Sequence, residues 1–93
     1  MPGYSGFFAK IHGRVQGVGF RYAAQKQALR LGLTGWVRND YDGTVEVMCE
    51  GEPLKLEQFY LWLKKGPPGS NVVQVERRTI TPQKTFRTFT IEF

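Results

Sequence analysis

Residues 13–21 read Gly13-Arg14-Val15-Gln16-Gly17-Val18-Gly19-Phe20-Arg21. The stretch separates two regular patterns. Before it, Phe7, Ala9 and Ile11 alternate on one face of a strand expected over residues 7–15. After it, Phe20, Ala23, Ala24, Gln27, Ala28 and Leu31 follow helical spacing, and all but Gln27 are apolar. Gly32 then stops the helix as a C-terminal cap does. Gly13, Gly17 and Gly19 break both periods, so the stretch is a strand-to-helix loop.

Outward from that loop, residues 36–40 and 44–50 read as strands joined by the turn Tyr41-Asp42-Gly43, with Val45, Val47 and Cys49 facing a core. Glu52-Pro53 opens a second helix, whose apolar face is Leu56, Phe59, Trp62 and Leu63. Lys64-Lys65-Gly66 ends it with charge that suits the dipole, and Pro67-Pro68-Gly69 forbids continuation. Residues 72–81 form a fourth strand, expected to bulge where Arg77-Arg78 interrupts the alternation. Phe89, Ile91 and Phe93 alternate in a last short strand. The β-α-β-β-α-β order predicts an α+β ferredoxin-like sandwich: an antiparallel sheet covered on one face by two helices, with a short extra C-terminal strand. Trp36, Arg38, Glu46 and Met48 fall on the other, open face by parity. Residues 1–6 are expected to be a flexible N-terminus and residues 7–93 one domain, since 93 residues suffice for one and not two.

Composition narrows the function classes. At 41% hydrophobic and 23% charged, the chain matches a globular protein rather than a disordered one. It has no apolar run long enough to span a bilayer and no signal-peptide pattern, so a cytoplasmic protein without membrane contact is expected. One cysteine, Cys49, excludes an intrachain disulfide, and its strand context reads as a small buried residue rather than a nucleophile. One histidine and one cysteine cannot build a typical zinc site, so no metal and no cofactor is expected. Thirteen basic and eight acidic side chains leave a net charge of +5, which suits a phosphate compound or a nucleic acid equally.

The 13–21 loop bears on that choice. Glycines let successive N–H groups turn toward an anion, and the following helix adds unpaired N–H groups. Arg21 lies in that helix's first turn, where its guanidinium can grip two phosphate oxygens. A bare glycine-rich turn with no ligand fits the loop equally well. The predicted topology brings Asn39, at the end of the second strand, to the same sheet edge. A carboxamide there can orient a water, or it can simply cap a hairpin. The loop offers no Ser, Cys, Asp or His to form a phosphoenzyme, and neither motif has an obvious general acid. Such residues can position and stabilise charge only, which suffices when the leaving group is a carboxylate. An acyl phosphate is the substrate class they can manage.

The stretch from Ile11 and His12 through Arg21 resembles the first acylphosphatase signature. Gly35-Trp36-Val37-Arg38-Asn39, followed by Gly43, Val45 and Gly51, resembles the second, spacing included. The resemblance covers nearly the whole chain. It implies metal-independent hydrolysis of acyl phosphates, with Arg21 and the backbone of Gln16, Gly17, Val18, Gly19 and Phe20 binding the phosphoryl group and Asn39 holding the water. It gives His12 no catalytic role. Similar domains also occur fused inside larger proteins; a chain that ends after one domain is expected to be the free-standing enzyme and a monomer, with inorganic phosphate competing because it fills the same nest. The alternatives are an inactive acylphosphatase-like domain or an RNA-binding ferredoxin-like module. The RNA reading wants aromatics on the open face. That face instead offers Phe8, Lys10 and His12 on one strand and Glu46, Met48 and Glu50 on another, so no specific nucleic acid is expected.

Overall fold

Alternation in the strands decides which side of the sheet the helices cover. The computed structural model describes residues 3–93, with the order β1 (Ser5–Arg14), α1 (Phe20–Arg30), β2 (Thr34–Asn39), β3 (Val45–Gly51), α2 (Pro53–Lys65), β4 (Asn71–Ile80) and β5 (Phe89–Glu92). Phe7, Ala9 and Ile11 of β1 pair across from Cys49, Val47 and Val45 of β3, and all six are buried on one face. Phe20, Ala24 and Ala28 of α1 and Leu56, Phe59 and Leu63 of α2 close over that face. Burying each large side chain contributes about 1.5–3 kcal/mol. The Phe59 ring meets the Phe89 ring edge-on at 5.8 Å, which ties α2 to the last strand. The result is the ferredoxin-like α+β sandwich, with strand order β4-β1-β3-β2-β5.

Boundaries and details differ from expectation in physically informative ways. β1 takes in Ser5 and Gly6, which the sequence reading gave to an N-terminal arm, because both pair with β3. Met1 and Pro2 of that arm lie outside the described residues. β5 runs parallel to β2, so the sheet is antiparallel except at that edge.

The expected bulge at Arg77-Arg78 is absent. Ala9 pairs with Arg77 and Phe8 with Arg78 in unbroken register, and the shift falls at Val73, which has no partner on β1. Opposite it, Gly13 takes φ 126°, and a Cβ there would sit 2.1 Å from the Asn71 carbonyl oxygen. Arg77 holds a helix-side position by lying flat over the Phe7 and Tyr60 rings, at 4.8 and 4.5 Å, while pairing with Glu57. An arginine stem and planar head can thus replace an apolar residue at a sheet edge.

Glu50, expected on the open face, is fully buried. Its Oε2 accepts the Gln83 N–H at 2.7 Å and its Oε1 accepts the Lys84 N–H at 2.9 Å. The connection between β4 and β5 therefore covers that end of the sheet.

Candidate active site

β1 and β2 both pair antiparallel with β3, so they run the same way. The loop leaving β1 and the last residue of β2 thereby meet at one end of the sheet. Val15 is buried and anchors the loop. Gly17 and Gly19 both adopt φ 75°, the left-handed region that glycine enters without a Cβ penalty. Gly19 is the N-cap of α1, makes no side-chain cap and is followed by a first turn without acids. Among the described residues, no backbone oxygen takes the N–H groups of residues 16–19; the first to be taken in this segment is that of Ala23, by Gly19 O at 3.1 Å. The loop leaves donors open beside a positive helix end.

Asn39 ends β2 opposite Val45 and is exposed. The adjoining turn is stiffened by other groups. The Asp40 N–H donates to Thr44 O at 2.9 Å, and Asp42 Oδ1 accepts the Thr44 N–H at 3.0 Å and the Thr44 hydroxyl at 2.5 Å. Asp42 therefore does the capping that was one alternative for Asn39. The Lys10 ammonium, 2.8 Å away, and the Thr44 bonds hold the Asp42 carboxyl well below the usual range. Glu46 bonds to Arg38 Nε at 2.8 Å and lies 3.8 Å from Lys10. The carboxylates near this end are matched by Lys10 and Arg38 rather than by the loop's donors.

Gln16 supplies a link that sequence reasoning missed. Its Nε2 donates to Asp40 O at 2.8 Å and to Thr44 O at 2.9 Å, clamping the loop to the hairpin. The signal was present: a side chain with two amide donors stands inside a glycine loop. A pocket of about 120 Å³ lies between loop and strand, lined by Val15, Gly17, Gly19, Phe20, Arg21, Tyr22 and Asn39. Five of the seven expected site residues thus come together. The side chains of Gln16 and Val18 turn elsewhere, Val18 packing against the core. Val15 and Tyr22 are additions. Arg21 rests beside the pocket, with Nη1 3.4 Å from Glu92 O and its guanidinium 4.9 Å from the Phe93 ring. No Asp, Glu, His or Cys lines the pocket. Among the described residues, no three such side chains gather to hold a metal, and no helix is long and apolar enough to cross a membrane.

The two other titratable candidates lie apart from this pocket. His12, on the open face of the sheet, pairs with Glu76 of β4. Cys49 is buried, and burial pushes its thiol far up from the ordinary range, which makes it unreactive.

The acylphosphatase family model matches residues 7–91. The chain belongs to the acylphosphatase family. An acylphosphatase of Koribacter versatilis is 49% identical over 82 residues, covering 88% of this chain and 74% of its own. One of Bordetella avium is 39% identical over 88 residues, covering 95% and 94%. The crystal structure of acylphosphatase from Bacillus subtilis superposes with a TM-score of 0.92 at 36% identity, covering 96% of this chain and 99% of that one. Membership makes this chain an enzyme of acylphosphatase type, and family and fold together support hydrolysis of acyl phosphates. Both segments that bear the acylphosphatase signatures fall within the matched range. Glu92 and Phe93, on which Arg21 rests, fall just beyond it.

Proposed function

We propose that water attacks the phosphoryl group of a small acyl phosphate directly, without a phosphoenzyme. The observation that carries this reading is a pocket with open N–H donors, an arginine and a carboxamide, and with no Ser, Thr, Cys, His, Asp or Glu in its lining. The phosphoryl oxygens sit on the N–H groups of residues 16–20. Arg21 leaves the Glu92 carbonyl, a weak partner at 3.4 Å, and grips two oxygens through its planar fork. The Asn39 carbonyl oxygen accepts a hydrogen bond from the water and aims its lone pair at phosphorus, in line with the leaving oxygen. The phosphorus–oxygen bond to the carboxylate breaks as the new one forms. The carboxylate leaves unprotonated, and the water's proton stays on the released phosphate. Charge stabilisation here comes from arginine and backbone dipoles, so the step needs no metal.

The same reading makes inorganic phosphate a competitive inhibitor and the protein a cytoplasmic monomer without a specific nucleic-acid partner. The open face supports that last point by a route other than its glutamates. Arg38 covers the Trp36 ring at 4.7 Å and Arg78 covers the Phe8 ring at 5.3 Å, so the surfaces on which bases would stack are occupied. The experiment is hydrolysis of a simple aryl acyl phosphate by purified protein in excess chelator, beside a sugar phosphate. Turnover of the acyl phosphate alone is expected. Restoration of a chelated enzyme by a divalent ion, or comparable rates on both substrates, would overturn the mechanism.

A further inference from the structure

A second, larger concavity lies on the helix side of the molecule. It is an open groove of about 610 Å³ between α1 and the segment linking α2 to β4, against about 120 Å³ for the pocket beside Arg21. Lys26 and Arg30 line it from α1, and Trp62 and Lys65 from the last turn of α2. All three cations are exposed, and among the described residues none pairs with a carboxylate. No acid lines the groove, because α1 contains none and the α2 acid at Glu57 is taken by Arg77. Arg30 is held by Gln27, whose Oε1 accepts from Nη2 at 3.1 Å, and its remaining donors are free.

The groove is also rigid. Its far wall is Gly66-Pro67-Pro68-Gly69-Ser70, where two prolines fix the backbone. Pro67 O accepts both the Ser70 N–H, at 3.1 Å, and the Ser70 hydroxyl, at 2.6 Å. Trp62 is held by stacking on Phe59 at 6.3 Å and by the Phe20 ring at 5.7 Å. An open groove of this size, with one aromatic wall and three cations at its rim, has features of a small-molecule site. It is separate from the pocket beside Arg21. At 3.6 residues per turn, Lys26 and Arg30 project about 140° and about 180° around α1 from Arg21.

We infer that this groove binds a nucleoside di- or triphosphate. Three unmatched cations call for a ligand with several negative charges on one small body, and one inorganic phosphate would fill little of the volume. Trp62 and the proline wall call for a flat apolar moiety beside those charges. A nucleotide carries both at the required size.

The test is backbone amide NMR of the whole chain in saturating inorganic phosphate, which occupies the pocket beside Arg21. ATP, tripolyphosphate and adenosine are titrated separately in about 0.1 M salt, where surface attraction is screened. Saturable shifts from ATP are expected at Lys26, Lys65, Gly66, Gly69 and Ser70, with both fragments binding at least roughly tenfold more weakly, because each supplies half of the contact. Arg30→Glu with Lys65→Glu should weaken ATP by at least roughly tenfold, through lost charge pairing, while leaving acyl phosphate hydrolysis unchanged. Three results would each overturn the assignment: shifts confined to Gly17, Gly19 and Asn39, tripolyphosphate binding as tightly as ATP, or unchanged ATP affinity in the folded double variant.

Discussion

At one end of the sheet, the N–H groups of Gln83 and Lys84 close on the two oxygens of Glu50. At the other, the N–H groups of residues 16–19 take no backbone oxygen among the described residues. Both segments turn through the left-handed region, Lys84 at φ 59° and Gly17 and Gly19 at φ 75°. On the reading proposed above, both are backbone nests of the kind that accept anions. The first is filled by the chain's own carboxylate, so it ties the β4–β5 connection down and excludes water. The second has carboxylates nearby, but Lys10 and Arg38 hold Asp42 and Glu46 away from it. Backbone conformation does not tell a structural nest from a binding one. What separates them is whether a side chain within reach is free to fill the nest.

The largest expected effect comes from the open end. Replacing Arg21 removes the charged fork while leaving the nest. Arg21→Lys should lower kcat/KM by roughly a thousandfold, at the upper end for one electrostatic group, and weaken phosphate binding too. Because the polar and ring partners of the Arg21 guanidinium among the described residues are Glu92 O, at 3.4 Å, and the Phe93 ring, the variant should melt near the parent temperature. Steady-state kinetics and phosphate titration read both. A variant that keeps its activity would mean the nest alone holds the phosphoryl group.

Asn39→Ala probes the same end without touching charge. Among the described residues it is Asp42, not the Asn39 carboxamide, that bonds across the turn. Turnover should fall by roughly a hundredfold, with phosphate affinity nearly unchanged. The outcome that would remove the water-positioning role is weak phosphate binding with normal turnover of bound substrate.

These two residues show what was legible in the sequence. The core faces of β1 and β3 were readable because apolar alternation is local, and the loop because glycines punctuate it. Arg21 and Asn39 were brought to one edge by counting strand directions. Gln16's donors were visible in the sequence, but their partners were not, because those are carbonyls made available only by the β2–β3 turn. Glu50 was misplaced because parity gives a face but not what crosses it, and residues 81–88 have no periodicity of their own. Arg77 was taken for a bulge because pattern reading treats a charge as surface. Its stem and planar head cover Phe7 and Tyr60 instead.

The closed end should answer in stability rather than activity. Glu50→Gln keeps the shape but loses a charged acceptor and turns an amide donor toward two N–H groups. It should destabilise the fold by about 1–3 kcal/mol, with kcat unchanged. Denaturant unfolding with and without inorganic phosphate sharpens the contrast. Phosphate should stabilise parent and Glu50→Gln alike, since it binds the other nest, and should barely stabilise Arg21→Lys. Loss of phosphate stabilisation in Glu50→Gln would show that the two ends are not independent.

The smallest effect concerns why the open nest stays open. Lys10 lowers the Asp42 carboxyl first through its direct hydrogen bond, and the Thr44 hydroxyl and N–H lower it further. A depressed carboxyl contributes stability that is fully present above the unfolded value, 3.8, and is lost as pH falls through the folded one. Parent and Asp42→Asn should therefore differ by a constant small margin from neutral pH down to about pH 5, where an unfolded Asp is still largely ionised. The margin should shrink below that and close in strong acid. Salt should narrow it at neutral pH, because the pair faces solvent. Melting curves across pH, at low and high salt, read the margin. Phosphate affinity at neutral pH should stay the same, since Asp42 bonds to its own turn and to Lys10. Weaker phosphate binding by Asp42→Asn would instead make the stiffened hairpin, through the Gln16 clamp, part of what keeps the loop's donors in place.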